Sequence, residues 1–286
     1  MSAPAAATPS RLTTYAGFVK LEHTLFSLPL IYAGAWLGGG PPSLRLAGLM
    51  LLAAIGGRVM AMGLNRLIDV EIDARNPRTQ RRELPSGALQ RAEAWGIVAA
   101  AGGVYLIAAA SISHTCLWFS PIPVALFVGY PYLKRFTSLA HLGLGLAWSM
   151  APLGGWVAAA SSLSHIGQIG WLWLFSLLWV AGFDIIYATM DEAFDRQAGL
   201  YSMPARLGAP GALRIASILH AAAFIALAIL WGTAFGNRSS LVWLGGVGVL
   251  FIWQHMIADR EPEFAFFTLN GILGFLVLGF IVSGLR

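Results

Sequence analysis

Charged residues are scarce in this sequence of 286 residues: Asp, Glu, Lys and Arg together make up 11%, against about 25% in an average soluble domain. Apolar residues make up 57%, which disfavours a soluble all-α core and is typical of a membrane protein. The single cysteine, Cys116, excludes an internal disulfide and a cysteine-based zinc site. The first twenty residues have no apolar core followed by a cleavage site, so no cleaved secretory signal is predicted.

Long apolar runs fill most of the chain, and each is long enough to cross a hydrocarbon core of about 30 Å as a helix. We identify nine such spans, near residues 22–40, 46–66, 94–113, 115–133, 138–160, 168–190, 211–233, 239–258 and 265–285. Lipid offers no hydrogen bonds to an open strand edge, and the runs lack the alternation of barrel strands. The sequence therefore predicts an all-α integral membrane protein, with residues 1–286 in a single domain.

The basic residues are distributed by loop rather than along one stripe, so the net charge of +5 does not indicate nucleic-acid binding. Only Arg45, Arg238 and Arg286 flank one set of span ends, and Arg58 lies within a span. All other Lys and Arg residues lie on the opposite side, which the positive-inside rule assigns to the cytoplasm. We expect a protein of the cytoplasmic membrane with its N-terminus inside and its C-terminus outside.

Acidic residues recur with matched spacing at the predicted cytoplasmic ends of spans two and six. Asp69 and Asp73 are four residues apart, as are Asp191 and Asp195, and the two pairs are separated by 122 residues. Spans that run in the same direction and end in the same chemistry suggest a parallel internal repeat. The pattern predicts a pseudo-repeat of four plus four helices, with the ninth helix left over.

The spacing of these acids indicates a cation site. Residues i and i+4 share one face of a helix, so Asn65, Asp69 and Asp73 should project together. Hard oxygen ligands suit Mg²⁺, which commonly takes one or two carboxylates together with phosphate oxygens. The neighbouring arginines would repel a bare metal ion, but they fit a diphosphate held between Mg²⁺ and guanidinium groups. A solvated loop of mixed charge is the alternative, and such a loop needs no periodicity.

These motifs resemble those of a known family. NxxxDxxxD at 65–73 precedes "RELPSG", DxxxD at 191–195 precedes "GLYSMPARLG", and "KLEHTLFSLP" stands at 20–29. The combination is similar to the UbiA superfamily of intramembrane aromatic prenyltransferases, in its 4-hydroxybenzoate polyprenyltransferase branch. The resemblance implies a helical bundle around a central cavity. It also implies a cytoplasmic cap formed by the loops 66–93 and 191–210, after a flexible N-terminus at 1–12.

The family's activity is the Mg²⁺-dependent ionisation of a prenyl diphosphate and transfer of the prenyl group to an aromatic carbon, with release of diphosphate. The acceptor implied here is 4-hydroxybenzoate or a related quinone precursor. Several members have an aspartate directly after the motif asparagine, where this chain has Arg66. This departure leaves open an acceptor of the menaquinone pathway or a tetrapyrrole.

The resemblance also implies roles for individual residues. Asn65, Asp69 and Asp73 would hold one Mg²⁺, and Asp191 and Asp195 the other. Three basic residues are the candidates for diphosphate contact: Arg78, Arg82 and Lys134. An aromatic face at Tyr130 could stabilise an allylic cation, or this side chain could belong to the interfacial aromatic belt.

Arg58 is an arginine well inside a predicted span, seven residues before Asn65. A guanidinium at that depth is costly unless it faces a cavity or is paired. Asp184 lies at comparable depth, seven residues before Asp191. Either Arg58 and Asp184 form a structural ion pair, or Arg58, Asn65 and Asp184 bind the aromatic acid, which we favour. Histidines His114, His141, His165, His220 and His255 show no metal-ligand spacing, and no role is assigned to them.

Two other functions fit the sequence less well. A CDP-alcohol phosphotransferase also uses aspartates and Mg²⁺, but it places them in one continuous block, whereas the acids here are split by 122 residues. A transporter would continue its polar residues toward the outer side, where the predicted loops hold no acid. The expected partners are thus an isoprenyl diphosphate, an aromatic acid and the lipid bilayer, and no obligate protein partner is evident.

Overall fold

The computed structural model describes residues 10–20, 24–160 and 166–285, and every regular element in these ranges is helical. The α-helices are α1 (Arg11–Val19), α2 (Thr24–Gly39), α3 (Leu44–Ile68), α4 (Val70–Arg75), α5 (Arg91–Ile112), α6 (His114–Phe119), α7 (Pro121–Leu133), α8 (Ala140–Ala159), α9 (Ile166–Ala188), α10 (Glu192–Gln197), α11 (Met203–Ala234), α12 (Ser240–Ile257) and α13 (Pro262–Gly284). A 3-10 turn, Thr189–Asp191, links α9 to α10.

Eight segments of the described chain are long and apolar enough to cross a membrane, so the predicted count of nine is not confirmed. The difference lies at the first predicted span, 22–40. Its helix α2 has 16 residues, about 24 Å at 1.5 Å per residue, and residues 21–23 lie outside the described chain. The all-helical membrane architecture itself is confirmed.

The predicted span 115–133 consists of two helices rather than one. Helix α6 ends at Phe119, and α7 begins at Pro121. Proline has no N–H to donate, which suits the first turn of a new helix better than the interior of a continuing one. At the N-terminus, residues 1–9 of the predicted flexible segment lie outside the described chain, and α1 begins at Arg11.

Close helix contacts in the bundle depend on small residues. A Cβ added to Gly34 of α2 would lie 1.9 Å from the carbonyl oxygen of Pro152 in α8. A Cβ on Gly155 would lie 1.9 Å from the carbonyl oxygen of Ile31. Any larger side chain would therefore push these two helices apart. A buried cluster around Trp179 then fills the space between α9 and its neighbours.

A second cluster anchors the loop that follows the first motif. Leu84 and Leu89 of this loop are buried with Phe18 of α1 and with side chains of α3 and α5. Arg66 is also buried, forms an ion pair with Glu83 and lies over the Phe18 ring at 5.6 Å. The arginine that departs from the family pattern thus ties the loop to the bundle.

Candidate active site

One cavity of about 690 Å³ brings together both acidic motifs and most of the predicted site residues. Its lining includes ten of them: Arg58, Asn65, Asp69, Arg78, Arg82, Tyr130, Lys134, Asp184, Asp191 and Asp195. The eleventh, Asp73, is buried and reaches the cavity through Arg82, whose Nη1 donates to Asp73 Oδ2 at 2.9 Å. Two stretches 122 residues apart therefore face a common space.

Each motif breaks its helix at the first aspartate, so the continuous helix that the spacing predicts is interrupted. Asp69 has φ −97° and ψ 4°, and Asp191 has φ −105° and ψ 5°. Each is followed by a six-residue helix, α4 or α10, that carries the second aspartate. The same local geometry at equivalent positions supports the predicted internal repeat.

Asp69 is the most buried carboxylate of the first motif, with 2% of its surface exposed. Its Oδ2 accepts from Lys134 Nζ at 2.6 Å and from Asn65 Nδ2 at 3.3 Å. Burial raises the pKa of Asp69, and the charge of Lys134 opposes this rise. In the described structure its Oδ1 is buried and accepts no hydrogen bond, although Arg135 Nη2 lies 3.7 Å away.

Arg78 connects the two motifs. It follows the first motif in sequence but forms a two-pronged ion pair with Asp191 of the second: Nε donates to Oδ1 at 2.9 Å, and Nη2 donates to Oδ2. Its Nη1 donates to the Tyr187 hydroxyl at 2.7 Å. Burial alone would lower the pKa of Arg78, but the hydrogen bonds and charges of Asp191 and Tyr187 outweigh burial and raise it.

Two side chains in this region were missed by sequence reasoning. Asn76 Nδ2 donates to Asp191 Oδ1 at 2.8 Å, and Asn76 Oδ1 accepts from the Arg78 backbone N–H at 2.9 Å. Tyr187 packs its ring against Phe266 of α13, with 4.2 Å between ring centroids. Neither contact has a signal in the spacing of charges, although Tyr187 lies one helical turn before Asp191.

Three of the four motif aspartates have a cationic partner in this structure. Asp69 contacts Lys134, Asp73 contacts Arg82, and Asp191 contacts Arg78. Within the described residues, no group of three or more His, Cys, Asp or Glu side chains is gathered around a single metal position. The buried Asp69 Oδ1, which accepts no hydrogen bond, is an oxygen of the kind that Mg²⁺ takes as a ligand.

A second, apolar cavity of about 370 Å³ adjoins the polar one. Five residues line both: Arg58, Ala61, Phe127, Ala147 and Trp148. The Arg58 guanidinium lies over the Trp148 ring at 5.2 Å. A substrate with a charged head and an apolar chain could therefore occupy both spaces, with Arg58 at their junction.

Asp184 has a partner that the sequence analysis did not consider. Its Oδ2 lies 2.6 Å from Nδ1 of His141, whereas the sequence analysis weighed an ion pair with Arg58 against binding of the aromatic acid. Tyr130 also lines the cavity, together with Arg58, Asp69 and Asp184. A residue of the interfacial aromatic belt would not need to line this cavity, so the location of Tyr130 favours a role in the site.

The comparison with known proteins agrees with this geometry. The model of the UbiA prenyltransferase family matches residues 27–272. The chain belongs to the UbiA prenyltransferase family. The fold class and the enzyme class expected from the motifs are thus confirmed.

Individual members of the family show how far the similarity extends. A 4-hydroxybenzoate octaprenyltransferase of Sodalis glossinidius is 29% identical over 288 residues, 96% of this chain and 97% of that protein. An apo structure of a UbiA homologue from Aeropyrum pernix K1 is 37% identical with a TM-score of 0.83, covering 92% of this chain and 98% of that one. A UbiA homologue from Archaeoglobus fulgidus, bound to GPP and Mg²⁺, has the same fold with a TM-score of 0.76 at 20% identity, covering 95% and 99%.

Proposed function

We propose that this enzyme transfers a prenyl or polyprenyl group from an isoprenyl diphosphate to an aromatic acid, with 4-hydroxybenzoate as the first candidate. The observation that carries the proposal is the cavity itself. It is lined by carboxylates of both motifs and by the basic side chains of Arg78, Arg82 and Lys134, and it joins an apolar cavity at Arg58. Quinone precursors of another branch or a tetrapyrrole are the alternative acceptors within the same reaction class.

The charged half of the cavity would bind Mg²⁺ and diphosphate together. Asn65, Asp69 and Asp73 would hold one ion, and Asp191 and Asp195 the other. When bound, Mg²⁺ supplies stabilisation of the negative charge that develops on the leaving diphosphate. Three basic side chains now paired with carboxylates would exchange these partners for phosphate oxygens: Arg78, Arg82 and Lys134.

The deeper half of the cavity would bind the acceptor. The C–O bond of the prenyl diphosphate breaks, and its electron pair leaves with the diphosphate. The allylic carbon then joins an aromatic carbon, which loses its proton. Tyr130 would face the cation, and Arg58 would bind the acceptor carboxylate, with Asn65 and Asp184 beside it. This arrangement would place the two reacting carbons between the charged and apolar spaces.

The membrane orientation follows from charge. We propose that the N-terminus and the polar cavity face the cytoplasm and that the C-terminus lies outside, because the basic loops flank the cavity. The loops 66–93 and 191–210 would cap the cavity. Anchoring of the first loop by Leu84, Leu89 and the Arg66 ion pair supports this role.

A product assay tests the proposal directly. Membranes containing the protein are supplied with Mg²⁺, geranyl diphosphate and a panel of aromatic acids, and products are identified by mass spectrometry. We expect a prenylated hydroxybenzoate, and we expect its formation to depend on both Mg²⁺ and Asp191. Formation of a prenylated product from a non-acidic acceptor alone would contradict the assignment of the acceptor class.

Removal of the Arg58 guanidinium should weaken acceptor binding while leaving prenyl diphosphate binding nearly intact. A charge-assisted hydrogen bond of about 1.5 to 3 kcal/mol corresponds to a loss of roughly ten- to a hundredfold in Arg58→Ala. Arg58→Lys should recover only part of the loss, because lysine cannot form the two-pronged contact. The Michaelis constants for both substrates measure the effect.

Arg45→Ala is the matched control, since Arg45 is an exposed arginine on the same helix, α3. Thermal melting of each variant separates binding from stability. A lowered melting temperature in Arg58→Ala with an unchanged acceptor KM would assign Arg58 a purely structural role.

Cys116 offers a probe for the isoprenoid chain, because it lines the apolar cavity and is the only cysteine. A maleimide should label Cys116 more slowly when a non-hydrolysable polyprenyl thiodiphosphate is bound with Mg²⁺. At about ten times its dissociation constant, the analogue should slow labelling by about tenfold, because only the unoccupied fraction reacts. Inorganic diphosphate with Mg²⁺ is the control. Equal protection by inorganic diphosphate would show that the chain lies elsewhere.

A further inference from the structure

His141 is a buried histidine at the edge of the polar cavity, with 5% of its surface exposed. It is the second residue of α8 and contacts two other parts of the bundle. No role follows from its position in the sequence, where it stands among scattered histidines. Its contacts give it one.

Both ring nitrogens of His141 are engaged. Nδ1 lies 2.6 Å from Asp184 Oδ2, and Nε2 accepts from the backbone N–H of Met203 at 3.2 Å. Met203 begins α11, where the first N–H groups have no partner inside the helix. Since Nε2 accepts, the ring proton lies on Nδ1 and is donated to Asp184.

The same region connects to the second motif. The Leu200 backbone N–H donates to the Asp195 carbonyl at 2.8 Å, and the Tyr201 backbone N–H donates to the Lys134 carbonyl at 2.7 Å. His141 therefore holds Asp184 at a fixed distance from the segment that follows the second motif. Because Oδ2 of Asp184 is occupied by His141, a hydrogen-bond donor in the cavity would bind Oδ1.

We infer that His141 is a positioning residue for the acceptor. It fixes the Asp184 carboxylate so that Oδ1 accepts a hydrogen bond from the acceptor's hydroxyl group, while Arg58 binds the carboxylate at the other end. The site would therefore select an aromatic acid that also carries a hydroxyl group. This inference rests on the proposed function, in which Asp184 contacts the acceptor.

A test must separate this role from simple capping of α11. His141→Leu removes both contacts, whereas His141→Gln has a donor and an acceptor that can replace them. Asp184→Asn and the double variant His141→Leu with Asp184→Asn complete a cycle that isolates the coupling between the two residues. His114→Leu is the control, because His114 is an exposed histidine.

Three quantities are measured: the Michaelis constant for the hydroxybenzoate acceptor, the Michaelis constant for geranyl diphosphate, and inhibition by benzoate, which lacks the hydroxyl group. His141→Leu should raise the acceptor KM roughly tenfold, as for loss of a charge-assisted hydrogen bond. It should leave benzoate inhibition and the geranyl diphosphate KM unchanged. His141→Gln should restore most of the affinity. In the Asp184→Asn background, His141→Leu should add almost nothing, because its effect acts through Asp184.

If His141→Leu raised the acceptor KM by the same factor in the unmodified protein and in the Asp184→Asn variant, the inference would be overturned, and the role of His141 would be to cap α11. A parallel weakening of benzoate binding would also overturn it, since benzoate has no hydroxyl group to position. Failure of the proposed function gives a different result: the unmodified protein would prenylate no aromatic acid, while binding geranyl diphosphate as before.

Discussion

Replacing Asp69 or Asp191 by asparagine is expected to lower the rate of prenyl transfer by about a hundred- to a thousandfold in each case. The two carboxylates belong to different motifs, and each would hold a different Mg²⁺ against the diphosphate. Asparagine keeps the size of the side chain but removes its charge, so the loss measures charge stabilisation rather than packing. Initial rates at saturating Mg²⁺ and geranyl diphosphate give the effect.

Asp259→Asn is the matched control, because Asp259 is exposed and does not line the polar cavity. Its rate should equal that of the unmodified protein. Thermal melting in the presence of EDTA should show that both motif variants remain folded, although Asp69→Asn leaves Lys134 without its carboxylate. Full activity in Asp191→Asn with saturating Mg²⁺ would contradict the assignment of one ion to each motif.

The sequence predicts the site well where local spacing determines geometry. The matched four-residue spacing of the acids led to a repeat, and the structure has the same helix break at Asp69 and Asp191. The spacing could not predict the break itself, because i and i+4 positions also suit an uninterrupted helix. The position of Arg58 beside the cavity follows from the cost of a charge within a membrane span.

Contacts between distant parts of the chain could not be read from the sequence. Asn76 and Asp191 are 115 residues apart, and His141 and Asp184 are 43 apart, so their pairing depends on how the helices pack. Neither Asn76 nor His141 is part of a recognisable sequence motif. The count of nine spans is not confirmed, because residues 21–23 of the first predicted span lie outside the described chain, and eight segments of the described chain are long and apolar enough to cross a membrane.

Removal of the Arg78 side chain should have opposite effects on catalysis and on the binding of Mg²⁺ alone. In the structure, Arg78 forms the ion pair with Asp191 and also contacts Tyr187. A metal ion that binds Asp191 must displace this guanidinium, and the displaced guanidinium then needs another anion. The diphosphate supplies that anion, so metal and diphosphate should bind cooperatively in the unmodified protein.

Arg78→Ala should therefore lower kcat/KM for geranyl diphosphate by about a hundredfold or more, because a two-pronged contact to the leaving group is lost. In the absence of diphosphate, the same variant should bind Mg²⁺ more tightly than the unmodified protein, because no cation has to leave Asp191 first. Thermal melting against Mg²⁺ concentration measures this second effect. Arg78→Lys should give intermediate values of both kcat/KM and Mg²⁺ affinity, since lysine keeps the charge but cannot form the two-pronged contact.

Arg75→Ala is the control for both measurements, because Arg75 is an exposed arginine of the same segment and does not line the polar cavity. Its kinetics and its melting response to Mg²⁺ should match those of the unmodified protein. If Arg78→Ala lost activity but bound Mg²⁺ no more tightly, the guanidinium would act only on the diphosphate. The proposal that Arg78 exchanges its partner Asp191 for phosphate oxygens would then be wrong, because this exchange requires Arg78 to compete with the metal for the Asp191 carboxylate.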